Sequence, residues 1–171
     1  MQKDPRYPIG KFDREKPYSR DQLIGAIETL PAEIAASVAG LSDADLDTPY
    51  RDGGWTLRQT VHHIADSHMN AYIRFKLALT EDIPTIRPYF EDRWADLPDS
   101  ETDIDVSLKL IEGLHERWSR LLRSMSDSDY RRELKHPESG RWDLEGLLAL
   151  YAWHGRHHTA HVTNARAKIG R

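Results

Sequence analysis

Four stretches of this sequence repeat apolar residues at steps of three and four, and a chain built that way has little choice but to pack helices against one another. The first carries Leu23, Ile27, Leu30, Ile34 and Val38 and ends near Gly40. The second carries Leu57, Val61, Ile64, His68, Ala71, Phe75 and Leu79 and ends near Thr80. The third carries Ile104, Leu108, Ile111, Leu114, Trp118, Leu121 and Met125, and the fourth Leu144, Leu148, Tyr151, His158, Val162 and Ala165. No segment alternates convincingly as a strand. Ser19 with Gln22, and Thr56 with Gln59, have the spacing of capping boxes, and Pro31 is expected to kink the first helix. The expected fold is all-α, an antiparallel four-helix bundle forming a single domain over 1–171.

The connections refine this. Residues 1–18, with Pro5, Pro8 and Gly10 among charges, read as an extended arm that can pack through Tyr7, Ile9 and Phe12. Between Glu81 and Thr102, three prolines (Pro84, Pro88, Pro98) and the aromatics Tyr89, Phe90 and Trp94 predict a long crossover between the second and third helices. A short internal repeat divides the chain: Ser42-Asp-Ala-Asp-Leu46, a polar loop and Trp55-Thr-Leu57 are echoed by Ser126-Asp-Ser-Asp-Tyr130, a polar loop and Trp142-Asp-Leu144.

At 171 residues and 39% hydrophobic content the chain can bury its own core. Its 24 basic residues are scattered against 28 acidic ones, giving a net charge of −4 and no nucleic-acid footprint. No segment reads as a secretory leader or a membrane span, so the expected location is cytoplasmic. Cysteine is absent, so any metal must be held by His, Asp or Glu.

Seven of the nine histidines fall in two clusters, His62, His63 and His68 on the second helix and His154, His157, His158 and His161 on the fourth. Imidazoles four residues apart share a helix face and can hold one ion, with a third arriving from a neighbouring helix. At about 100° per residue, His158 lies about 20° and His154 about 60° from the centre of the fourth helix's apolar stripe, whereas His157 lies about 120° away. The inward pair is therefore His154 and His158. Gly155, on the same stripe, leaves room for a neighbouring helix. On the second helix the stripe residue is His68, and His63 falls outside it.

Taken together, Tyr7-Pro-Ile-Gly-Lys-Phe12, Leu46-Asp-Thr-Pro-Tyr-Arg51, Gly53-Gly-Trp-Thr-Leu-Arg-Gln59, the run from His62 to Lys76, and Ala149-Leu-Tyr-Ala-Trp-His-Gly-Arg-His-His158 resemble the DinB/YfiT-like superfamily over nearly the whole chain. The similarity is to its YfiT branch of metal-dependent hydrolases, which also resembles bacillithiol S-transferases. The resemblance implies a mononuclear site in which the histidine about two turns beyond Trp55, His63, joins His154 and His158. It also implies a homodimer. Helical periodicity and the resemblance agree on the fourth helix and differ on the second, where the family spacing selects His63 over His68.

Three neutral imidazoles around one divalent ion per chain, zinc by default and nickel as runner-up, leave an open position for a small-molecule substrate. Water activated there gives a hydrolase, with Asp66, about one turn after His63, as the nearest carboxylate for general-base work. A low-molecular-weight thiol such as bacillithiol bound there gives an S-transferase, for which Arg58, Arg74 and Arg156 are candidate anion partners. In a third reading the metal only staples helices in a non-catalytic interaction domain. Trp55, Trp94, Trp118, Trp142 and Trp153 could line a pocket, but Trp at helix starts and in helix stripes is more often core, and none is assigned to substrate.

Overall fold

The computed structural model describes residues 4–170, so Met1, Gln2 and Lys3 of the expected arm, and Arg171, lie outside the described residues. In chain order the elements are α1 (Arg20–Val38), a short α2 (Asp43–Leu46), α3 (Leu57–Thr80), a short α4 (Glu91–Ala95), a 3-10 turn (Pro98–Glu101), α5 (Ile104–Ser124), a short α6 (Asp127–Tyr130), strands β1 (Glu133–His136) and β2 (Gly140–Asp143), and α7 (Leu144–Lys168). The four long helices are those expected from apolar periodicity, and together they form a four-helix bundle.

Their directions follow from which residues meet. Arg20 reaches Glu145 near the start of α7, and Arg166 near its end reaches the carbonyls of Ala36 and Ser37, so α1 and α7 run parallel. His62 meets Ser107 and His68 meets His115, so α3 and α5 also run parallel. The antiparallel packing expected from sequence holds between α3 and α7, where His63 meets His158 and Arg74 meets Tyr151. It holds again between α1 and α5, where Ile27 meets His115 and Asp21 meets Arg123. Parallel neighbours need a connection that returns along the bundle. The predicted crossover does this: Gln59 Nε2 donates to the Ala95 carbonyl and Arg58 Nη1 to that of Thr102, which pins the crossover's end beside the start of α3.

The internal repeat is a structural one. Ser42 and Asp45, and again Ser126 and Asp129, close reciprocal capping boxes that start α2 and α6. The Leu57 N–H then donates to Thr48 O at 3.1 Å, and the Leu144 N–H to Arg132 O at 3.0 Å. Thr56 caps α3 in the predicted box, and Asp143 caps α7 in the corresponding position. The two halves differ in the loop between. The first has an isolated bridge, Pro49 to Thr56, whereas the second widens into an antiparallel hairpin pairing Glu133 with Asp143 and Leu134 with Trp142. This hairpin corrects the reading that the chain has no strand; four-residue strands are too short for a period of two to stand out. Ser19 is a second correction: it takes the N-cap position of α1, but its side chain makes no capping hydrogen bond.

Tyr7 and Phe12 of the arm pack as expected, with ring centroids 6.2 Å from His157 and 5.9 Å from Trp153 respectively. Ile9, expected to join them, is 46% exposed. Two apolar clusters fill the bundle, one around Phe75, Trp118 and Leu148, the other around Ile34, Val61 and Val162. His68 on α3, His115 on α5 and His154 and His158 on α7 each lie between the stretches of their helix that belong to the two clusters.

Candidate metal centre

α7 carries His154 and His158 one turn apart, and its antiparallel packing on α3 brings His63 to the same level. The three rings present one nitrogen each within 4.8 Å of one another. His63 Nε2 faces His154 Nε2 at 3.2 Å, and the His63 and His158 ring centroids are 4.8 Å apart. Trp55, at the end of the loop that leads into α3, covers His63 at 4.5 Å.

All three rings are held neutral. Burial pushes His63 down to about 4. Burial, followed by the neighbouring imidazoles, pushes His154 and His158 well below the ordinary histidine value. A neutral imidazole offers a lone pair, so the donor set fits a divalent ion such as zinc. His158 Nδ1 is moreover buried without a hydrogen-bond partner among the described residues.

A cleft of about 390 Å³ opens over these histidines, walled by Tyr7, Tyr50, Trp55, Glu91 and Trp153. A second lobe of about 470 Å³ shares His154, Glu91 and Asp92 with the first and extends to Arg74, Tyr89 and Tyr151. Arg74 donates to the Tyr151 hydroxyl at 3.0 Å. Of the other arginines weighed for anion binding, Arg58 is engaged by Asp43 and Asp47 at 2.8 and 2.7 Å, and Arg156 is exposed and lines neither lobe.

Asp66 lines neither lobe. The carboxylates that line both are Glu91 and Asp92, in the first turn of α4; of the two it is Glu91 whose acid form is favoured, first by desolvation and then by the charge of Asp92. Sequence reasoning had no signal for it, because it lies in an irregular crossover that only the fold returns to the histidines.

The remaining histidines divide by role. His62 is bound to Ser107 Oγ at 2.7 Å and to the Thr102 carbonyl at 3.1 Å, which fastens the crossover's end. His157 and His161 face each other through Nε2 at 3.2 Å beneath the arm. His68, the stripe residue of α3, is fully buried and touches His154 Nδ1 through Nε2 at 3.2 Å, while its Nδ1 meets His115 Nε2 at 3.0 Å. His115 was not singled out from sequence. Its position four residues after Ile111 and three before Trp118, on the apolar face of α5, was the available signal.

Fold and histidine cluster together define the class: the chain belongs to the DinB superfamily, whose family model matches residues 26–162. Among solved structures it is similar to YfiT from Bacillus subtilis, described as a probable metal-dependent hydrolase with an unusual four-helix bundle topology, with a TM-score of 0.93 and 48% identity over 97% of this chain and 98% of that one. A Bacillus cereus (strain 03BB102) protein named "Putative metal-dependent hydrolase" is 53% identical over 169 residues, covering 97% of this chain and 98% of the relative. A Bacillus mycoides (strain KBAB4) protein of the same description is 53% identical over 170 residues, covering 98% of each.

Proposed function

We propose that this protein is a metal-dependent hydrolase whose single divalent ion is held by His63, His154 and His158. The observation that carries the reading is the convergence of three neutral imidazoles, two buried and that of His154 half-buried, within 4.8 Å at the floor of a cleft. The names of its relatives support it. An ion held by three neutral protein ligands supplies a Lewis acid with an open position.

The chain's own groups would do the rest. Trp55, Tyr50 and Trp153 wall the histidines and limit access of bulk water. Glu91, which lines the cleft and has its proton affinity raised, would accept a proton from the attacking water and return it to the leaving group. Arg74, with Tyr151 behind it, can anchor a polar end of the substrate in the second lobe.

Thiol transfer is the competing chemistry, and of Arg58, Arg74 and Arg156 only Arg74 lines either lobe, the second. Elemental analysis of protein purified without a histidine tag is expected to find about one zinc per chain, lost in His63→Ala, His154→Ala and His158→Ala. In a screen of ester and amide substrates, Glu91→Gln is expected to lower kcat by about 100-fold with metal retained, and Asp66→Asn to keep its rate. Wild-type protein that cannot be loaded with zinc or nickel would overturn the proposal, and turnover of thiol and electrophile without hydrolysis would replace it with the transferase.

A further inference from the structure

A proline inside a helix removes the N–H that would bond to the carbonyl four residues earlier. In α1, Pro31 therefore leaves the Ile27 carbonyl without its intrahelical donor. That carbonyl is taken by His115 Nδ1 at 2.7 Å. From this bond the protonation pattern of three rings, those of His115, His68 and His154, can be read in order. A carbonyl only accepts, so His115 carries its proton on Nδ1. Its Nε2, 3.0 Å from His68 Nδ1, is then an acceptor, so His68 is also protonated on Nδ1. His68 Nε2, 3.2 Å from His154 Nδ1, accepts in turn and leaves His154 protonated on Nδ1. The lone pair of His154 is thereby fixed on Nε2, the atom that faces His63.

We infer that Pro31, through the carbonyl it frees on Ile27, sets the tautomer of His154 by way of His115 and His68 and holds its Nε2 lone pair at the ligand position. His115 and His68 are positioning residues in this scheme. The inference rests on the three-histidine reading of the metal centre. It requires the two relay rings to be neutral, because a charged His68 would donate from both nitrogens and reverse His154. Desolvation opposes that charge: His68 is fully buried, and the charged neighbours acting on it would be other imidazoles. Nδ1–H is the less common tautomer of free histidine in water, so three such rings in a row would not arise by default.

The test reads tautomers directly, in metal-free protein labelled with ¹⁵N, by long-range ¹H–¹⁵N correlation of the imidazoles at neutral pH. Wild type is expected to show His115, His68 and His154 all protonated on Nδ1. In Pro31→Ala a restored helical N–H competes for the Ile27 carbonyl, and this variant is expected to fold because alanine suits a helix interior. His68 and His154 should then become tautomeric mixtures. His115→Phe should shift them further and weaken zinc binding, measured against a competing chelator, by about 10–100-fold. His115→Gln, whose amide can donate to Ile27 and accept from His68, should restore both readouts. A wild-type His154 protonated on Nε2 overturns the inference, as do Pro31→Ala and His115→Phe variants that keep wild-type tautomers and zinc affinity. Wild-type protein with all three rings protonated on Nδ1 that takes up no zinc overturns the metal reading instead, because the tautomers are read without the ion.

Discussion

At the scale of single residues, the same environment that neutralises the histidines acts on Asp66. Desolvation, followed by the charge of Asp99, raises its carboxyl from 3.8 to about 6. A folded-state value above the unfolded one means that the group contributes stability below about pH 4, and that this is lost as the pH rises through about 6. Asp66→Asn should therefore stabilise the protein at pH 7.5, by about 1 kcal/mol once water screening at this half-buried position is allowed for, with a gain that shrinks toward pH 4. Thermal unfolding of the two proteins at both pH values measures it. An equal gain at each would show that the carboxylate's charge is not the cause.

At the scale of elements, the contact that matters most for the centre is the approach of α7 to α1. A Cβ on Gly155 would lie 2.6 Å from Leu30 Cδ2 and 3.4 Å from His68 Cε1. Gly155 thus does what its place on the apolar stripe suggested, letting α1 and α3 close in beside His154. Gly155→Ala must move Leu30 or part the helices, at a cost of about 1–3 kcal/mol, and should disturb His68 as well. Denaturant unfolding gives the first effect and zinc affinity the second. A variant as stable and as tight as wild type would mean that the Leu30 side chain turns away freely.

At the scale of the whole molecule, the proposed ion would be bound by α3 and α7 directly and coupled to α5 and α1 through His115 and the Ile27 carbonyl. All four long helices then share in it. Any ligand bound only by the folded state stabilises it by mass action, by about 2.7 kcal/mol at a free concentration 100 times Kd. For a chain of this size that corresponds to a rise in Tm of about 5–11 °C. Scanning calorimetry of apo and zinc-loaded protein should show this rise. It should vanish in His154→Ala.

Much of this was legible in the sequence because it is local. Helical period placed the four long helices, the Thr56 and Gln59 spacing capped α3, and the i, i+4 step put His154 and His158 on one face. The helical wheel also read His68 correctly as a core residue. It could not select His63, because a residue beside a cleft lies off the apolar stripe, and only the family spacing pointed to it. The parallel pairing of α1 with α7 and of α3 with α5, the return of Glu91 to the histidines, and the meeting of Pro31's freed carbonyl with His115 join residues far apart in the chain. No periodicity encodes such contacts. They were decided by how four amphipathic helices bury their faces together, which is a property of the packed bundle.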